Sequence, residues 1–440
     1  MSSRHQGNRS SLAGFFGSTL EYYDMYIYAS ASALVFSQIF FPEATGGMGL
    51  LLAFGTYGVA YLARPLGGFL AGHFGDTFGR KNVMVVMLLV MGFATVGIGL
   101  LPTYEAIGIW APILLVSLRL LQGMSVGGEL AGATSLTMEH APEGKRAFLV
   151  SWLIQGIWAG YIIATLAFIA VATLPDEQLF AWGWRIPFWA SILIVILGLW
   201  IRLALEEPEE FRKQKDAGKA ASAPIREVFT TQPLDVLRVV FASFLLVIST
   251  TVPVYGLSYS VNTMGMDKSD IMWATVVAYA LALITQPLFA KLSDRIGRKP
   301  VMIAGNLTGG IAVWGFFWAV GQTNLLMVWV MMILCISVCF AMVHAIYPTL
   351  FAEMFNVRYR MSGMAIGLQI GIIATGFSPM IIQALSQAND NHWWPAAAVT
   401  TVACLISAAA VASCRETAFI PLNKLGTYVL LDETKEPAQI

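Results

Sequence analysis

An all-α integral membrane fold of twelve transmembrane helices, arranged as two pseudo-symmetric six-helix bundles, follows from three observations in the sequence. The chain of 440 residues is 57% hydrophobic and only 12% charged, whereas a soluble domain carries about 25% charged residues. Its apolar residues fall into twelve runs of about the length that a hydrocarbon layer of about 30 Å demands of a helix. A charged motif between two runs is written twice, as Gly72-His-Phe-Gly-Asp76-Thr-Phe-Gly79-Arg80-Lys81 and as Ala290-Lys-Leu-Ser-Asp294-Arg-Ile-Gly297-Arg298-Lys299.

The runs lie near 14–40, 48–71, 82–101, 110–137, 147–173, 186–204, 237–261, 271–293, 300–320, 324–350, 362–386 and 394–414. An even number of spans returns both termini to one face. Of 26 lysines and arginines, all but Arg185, Lys268, Arg64 and Arg119 sit in the amino terminus, the even-numbered loops, the central connector or the tail. Basic residues stay on the cytoplasmic side, so both termini are expected there. Glu21 and Asp24 interrupt the first run and no small-residue cleavage site follows it, so this span is expected to be retained.

The chain divides into a six-span half at 1–204, a polar cytoplasmic connector at 205–236, a second six-span half at 237–414 and a short cytoplasmic tail at 415–440. The other loops are short and leave no room for a soluble domain. Glycines stand four apart at Gly156 and Gly160 and at Gly367 and Gly371, a spacing that lets helix backbones approach closely in lipid. A net charge of zero gives no electrostatic reason for a nucleic-acid partner. Cys335, Cys339, Cys404 and Cys414 lie in or at the ends of spans without metal-site spacing, so packing is their expected role and no metal is expected.

Asp76 with Arg80, and Asp294 with Arg298, are four residues apart and share a face wherever a helical turn continues. Glu139 and Glu353 follow 63 and 59 residues after those aspartates, and each precedes an arginine by seven, Arg146 and Arg360. Topology accounts for the cations but for neither the acids nor the repeat. These eight residues are expected to form a charge latch in each half that holds the cytoplasmic side shut, as an alternating-access transporter requires.

The two motif copies resemble the loop motif of the major facilitator superfamily. Glu21-Tyr-Tyr-Asp24, Leu62-Ala-Arg64-Pro-Leu-Gly-Gly68, Leu118-Arg119-Leu-Leu-Gln122-Gly123, Gly127-Gly-Glu129, Trp182-Gly-Trp-Arg185-Ile-Pro187 and Glu353-Met-Phe also resemble its metabolite:proton symporter branch. That branch includes shikimate, α-ketoglutarate, citrate and proline/betaine transporters, and the match extends over nearly the whole chain. Tyr22 stands where the branch usually has Trp, Leu130 stands where it commonly has an aromatic residue, and the tail lacks the long coiled coil of the proline/betaine type. The resemblance implies the major facilitator fold in a bacterial inner membrane, a monomer with a proton as coupling ion and no cofactor.

An ionisable group inside a span is costly unless it is paired, hydrated or neutralised, which makes each one a functional candidate. Glu21 and Asp24 are three residues apart on neighbouring parts of one helical face, and two acids so placed do not both ionise easily. Arg119 lies midway along the fourth run, at a depth comparable with Asp24, and Glu129 is about 15 Å nearer the cytoplasm by helical rise. The resemblance implies a direct pair between an acid of the first span and an arginine of the fourth. Asp24 is therefore expected to carry the proton and Arg119 to be its switchable partner, with Glu21 and Glu129 as further candidates. Arg64 either orients substrate or serves a structural role near the outer surface. His344 precedes Glu353 by nine residues as Glu129 precedes Glu139 by ten, which gives the halves a matching titratable position.

In the superfamily the first, fourth, seventh and tenth spans line the cavity, helped by the fifth and eleventh. Tyr22, Tyr26, Gln122, Gln155, Trp158, Tyr255, Tyr259, Asn262, His344, Tyr347 and Gln369 are the polar and aromatic candidates there, with Arg64 and Arg119. Such groups suit a small polyhydroxylated or carboxylated molecule. Tyr259 and Tyr347 have an alternative role as interface anchors. The expected function is proton-coupled symport of a small organic acid, either a shikimate-like hydroxy acid or another carboxylate. A proline or betaine carrier is the first alternative. A non-transporting sensor or the permease subunit of a pump is the second, although no nucleotide-binding loop is present, and no nucleophile–base constellation suggests an enzyme.

Overall fold

The computed structural model describes residues 3–45, 47–78, 80–126, 129–139, 141–203, 224–357 and 359–426. Among the described residues, twelve helical stretches carry the fold. In the first half they are α1 Ser3–Leu34, α2 Met48–Phe78, α3 Arg80–Leu100, α4 in two pieces, Trp110–Met124 and Glu129–Glu139, α5 Arg146–Ala172 and α6 Arg185–Leu203. In the second half they are α7 Pro233–Thr263, α8 Lys268–Ile296, α9 Arg298–Gly321, α10 Leu325–Glu353, α11 Arg360–Gln387 and α12 Trp394–Ser413. Among the described residues no strand occurs.

Helix ends follow local chemistry. The Asp267 carboxylate accepts from the backbone N–H groups of Ser269 and Asp270 at 2.8 and 3.2 Å and starts α8, as the Asn324 side chain does for α10 through Met327 at 3.1 Å. Gly297 ends α8 at a φ of +108°, which a side chain rarely tolerates, so the glycine of the repeated motif is needed for the turn into α9. Two expected boundaries shift. The fourth run is interrupted after Met124 rather than continuous. A short helix, Pro224–Thr231, and the start of α7 both fall within the stretch read as connector, whereas 204–223 lies outside the described residues.

The packing repeats with a period of six helices. Helix α1 packs on α5 and α7 on α11; α2 on α4 and α8 on α10; α3 on α6 and α9 on α12. The halves meet through α2 with α11 and α5 with α8, contacts that the same shift exchanges. The glycine spacings sit at equivalent seams. A Cβ on Gly160 would lie 2.6 Å from the Thr19 carbonyl of α1, and one on Gly371 would lie 2.5 Å from the Val240 carbonyl of α7. Only hydrogen fits at either place. Around the outside, Ile311, Leu193, Leu326 and Trp200 are each 70% or more exposed, as suits a surface solvated by lipid rather than water.

Helices α7 and α10 are not regular throughout. Wide π-helical turns occupy Thr251–Tyr255 and Tyr259–Thr263 in α7 and Leu334–Phe340 in α10, features that often accompany functional sites. All four cysteines are buried and free.

Candidate transport site

The centre of the molecule is a polar and aromatic cluster where α1 and α5 of the first half face α8 and α10 of the second. Trp158 Nε1 donates to Gln286 Oε1 at 2.6 Å, and His344 Nδ1 lies 2.7 Å from the same oxygen. An indole N–H only donates and an amide oxygen only accepts, so the hydrogen of this ring edge sits on His344 Nδ1. Gln286 Nε2 donates to the Ser151 carbonyl at 3.2 Å, and Gln155 Nε2 donates to the Leu283 carbonyl at 2.8 Å. The hydroxyls of Tyr26 and Tyr279 meet in a hydrogen bond. Trp158 also rests against Tyr161, Tyr279, Phe340 and His344.

Of the expected pocket residues, Tyr26, Gln155, Trp158 and His344 belong to this cluster. Tyr22 packs edge-on to Tyr161, and Tyr347 packs against His344 while 1% exposed, so Tyr347 is not an interface anchor. Tyr255, Tyr259 and Asn262 stand towards the other end of α7, bonded to Ser386 Oγ, the Asn391 carbonyl and the Ala33 carbonyl at 2.8, 2.9 and 2.9 Å. Gln369 is half-buried on α11. Tyr279 and Gln286 were missed because α8 was not counted among the lining helices. Their signal was a polar pair seven residues apart, hence on one face, within an apolar run.

The buried charges are arranged differently from expectation. Glu21 is paired with Arg64 at 3.3 Å rather than coupled to Asp24, and Arg64 is buried half-way along α2 beside the Tyr61 ring rather than near the outer surface. Asp24, 2% exposed, makes no ion pair with Arg119. Thr95 Oγ1 donates to Asp24 Oδ2 at 2.7 Å, Gln122 Nε2 donates to Thr95 Oγ1 at 2.8 Å, and Arg119 Nη1 donates to Gln122 Oε1. Two neutral side chains thus stand between acid and guanidinium. Arg119 lies over the Tyr28 ring, 3.9 Å from its centroid, a cation–π contact that offsets part of its desolvation. The Glu129 side chain lies outside the described residues.

At the face carrying the basic loops, the second motif copy builds a network that crosses the halves. Arg298 pairs with Asp294 at 2.7 Å and with Glu353 at 3.2 Å, and Glu353 also pairs with Arg146 at 3.2 Å. Asp294 accepts from the backbone N–H groups of Ala147 and Phe148 at 3.2 and 2.9 Å, capping the positive end of α5. Glu353 is thus matched with Arg146 of the other half and not with Arg360. Arg360 is fully buried and its guanidinium has no hydrogen-bond partner among the described residues, and Glu139 is exposed, accepting from Ser135 at 3.3 Å. The side chains of Asp76 and Arg80 lie outside the described residues.

The residues just after α12 complete this network. Glu416 accepts from the N–H groups of Arg298 and Lys299 at 2.8 and 3.0 Å, Thr417 donates to Glu353 at 2.5 Å, and Arg146 donates to the carbonyls of Thr417, Ala418 and Ile420. The first residues of the stretch read as a short cytoplasmic tail thus belong to this network. At the opposite face Lys268 pairs with Asp176 at 2.9 Å and Asn262 reaches the Ala33 carbonyl. Contacts between the halves are therefore present at both ends of the central cluster. Among the described residues no group of three or more His, Cys, Asp or Glu could hold a metal.

The model of the Sugar (and other) transporter family matches residues 11–236, and that of the Major Facilitator Superfamily matches 239–418. The chain belongs to the major facilitator superfamily. It is 38% identical over 409 residues to the shikimate transporter of Escherichia coli (strain K12), covering 92% of this chain and 93% of that protein. It is 31% identical over 428 residues to the proline/betaine transporter of the same strain, covering 93% and 84%. A solved structure of the proton:xylose symporter XylE bound to 6-bromo-6-deoxy-D-glucose superposes with a TM-score of 0.75 at 18% identity, over 96% of this chain and 99% of that one, a likeness of fold. The superfamily places the chain among multi-pass membrane transporters and not among enzymes.

Proposed function

We propose that this protein is a proton-coupled symporter that imports a small organic acid, of the shikimate-like hydroxy-acid class or another carboxylate, by alternating access. The observation that carries the reading is the likeness to the shikimate transporter over 92% of the chain. It is supported by a buried arginine, Arg119, that has no carboxylate within ion-pair distance among the described residues and whose charge can attract an anion. Asp24 carries the proton and Arg119 is its partner through Gln122 and Thr95. Tyr26, Gln155, Trp158, Tyr279, Gln286 and His344 hold the substrate hydroxyl and carboxyl groups.

In this reading the protein works as a monomer in a bacterial inner membrane, with the basic face and both termini in the cytoplasm. The six-helix halves 1–204 and 237–414 rock about the central cluster, with 205–236 as connector and 415–440 as tail. Asp294, Arg298, Glu353 and Arg146 hold the cytoplasmic side shut in the present state, and Asp76, Arg80, Glu139 and Arg360 form the reciprocal latch. A proton is the only coupling species required, and no cofactor or metal takes part.

The likeness to the proline/betaine transporter supports a second reading, carriage of a zwitterionic osmolyte. Uptake into proteoliposomes under an imposed inward proton gradient distinguishes the two. Shikimate and other hydroxy acids should accumulate against their gradient, and accumulation of proline or betaine alone would replace the first reading with the second.

A further inference from the structure

We propose that Thr95 is a positioning residue for the proton step, a two-way hydrogen-bond partner that keeps Asp24 in place whether the acid is ionised or protonated, while Gln122 holds Arg119 off it. The inference rests on the reading of Asp24 as proton carrier. Thr95 Oγ1 has one hydrogen and two acceptors in range, Asp24 Oδ2 at 2.7 Å and the Met91 carbonyl at 2.9 Å, and it accepts from Gln122 Nε2 at 2.8 Å. With Asp24 ionised, the hydroxyl gives its hydrogen to the carboxylate. With Asp24 protonated, the acid donates to Thr95 Oγ1 and the hydroxyl hydrogen turns to the Met91 carbonyl. The oxygen then accepts two hydrogen bonds, its full capacity. The proton comes from water at one face and returns to water at the other, and no bond but the acid's O–H is made or broken.

An aspartate in direct contact with an arginine would instead have to break an ion pair at each protonation, which is costly in a buried site. Gln122 prevents that contact by engaging both Arg119 and Thr95. Apart from Arg119, the charged and phenolic groups around Asp24 are engaged elsewhere among the described residues. Glu21 and Arg64 neutralise each other, Tyr28 and Tyr57 face Arg119, and Tyr26 and Tyr161 are engaged with Tyr279 and with each other. From α6, the Pro187 carbonyl accepts from Tyr23 and Arg185 is bound to the Gly99 and Leu101 carbonyls. From α7, Tyr255 is bound to Ser386, and at the start of α5 Arg146 is bound in the latch. The second piece of α4 begins at Glu129, whose side chain lies outside the described residues.

The test is the pH dependence of proton-driven uptake in proteoliposomes containing the full chain, read together with gradient-free exchange of labelled shikimate, which reports folding and binding. Thr95→Val removes the donor to the ionised carboxylate, so protonation persists to higher pH and the midpoint moves up by about 1 pH unit. Gln122→Ala frees Arg119 to approach Asp24, so the midpoint moves down. Thr95→Ser restores the original midpoint. Slower uptake with an unmoved midpoint in both Thr95→Val and Gln122→Ala would overturn the proposal. Should Thr95→Val fail to fold, the downward shift in Gln122→Ala and the unmoved midpoint in Thr95→Ser decide it alone. Asp24→Asn separates the two levels, because retained uphill uptake in that variant rejects the proton-carrier reading, whereas its loss with unmoved midpoints elsewhere rejects only the role of Thr95.

Discussion

Arg146 at the start of α5 and Glu353 at the end of α10 belong to different halves of the chain, and Nε of the first stands 3.2 Å from Oε1 of the second. Both are nearly excluded from solvent, at 5% and 1% exposure. The pair can exist only while the halves are closed at this face, because each side chain is held on its own helix end. Glu353 is also held by Arg298 and Thr417, so one carboxylate ties together the first half, the repeated motif and the segment after the last span.

Removing Arg146 leaves Glu353 with Arg298 and Thr417 but cuts its ion pair to the other half, while Asp294 still accepts from the Ala147 and Phe148 N–H groups. Leaving a buried charge without any partner costs about 3–5 kcal/mol; Glu353 keeps Arg298 and Thr417, so a smaller part of that cost falls on the closed state. Arg146→Ala is expected to shift the population towards one open at the basic face. Spin labels on the loops of that face should report a longer separation, and an unchanged distance distribution would show that the pair does not hold the gate.

Asp24→Asn keeps the shape of the buried acid and fixes it in a neutral form. Uptake driven by a pH gradient is expected to vanish while gradient-free exchange of substrate continues. Undiminished accumulation in the variant would mean that another group carries the proton.

Gln286→Leu strips the acceptor from two buried donors, Trp158 Nε1 and His344 Nδ1. Unsatisfied buried donors cost about 1–3 kcal/mol each. The expected result is a lower Tm in detergent and a KM for substrate raised about tenfold or more. A variant with wild-type values of both would remove Gln286 from the site.

Gly160→Leu and Gly371→Leu place side chains where a Cβ already falls 2.6 and 2.5 Å from a carbonyl oxygen. Both are expected to separate the paired helices, α1 from α5 and α7 from α11, and to lower the yield of folded protein in the membrane by similar amounts. A well-folded variant at one seam alone would show that the two halves are not packed equivalently.

Much of this architecture is written locally. Twelve apolar runs, the asymmetry of lysine and arginine, the doubled Asp294 and Asp76 motif and the glycines four apart are properties of neighbouring residues, and they gave the helices and the halving of the chain. The buried ionisable residues Asp24, Arg119 and His344 stood out for the same reason, since charge inside an apolar run is visible without knowing what surrounds it.

Partner choice was not visible in that way. Glu353 turned to Arg146 instead of Arg360, Glu21 to Arg64 instead of sharing a proton with Asp24, and Asp24 to Thr95 instead of Arg119. Tyr279 and Gln286 entered the centre from α8, and Glu416 and Thr417 entered the Arg298–Glu353 network from beyond α12. Each of these contacts depends on how far a helix is rotated and tilted against helices distant in the chain. In lipid the hydrophobic effect fixes which segments are helices but exerts little preference among their faces, so the sequence alone determined the spans and their repeat, and only close packing in three dimensions decided which side chains meet.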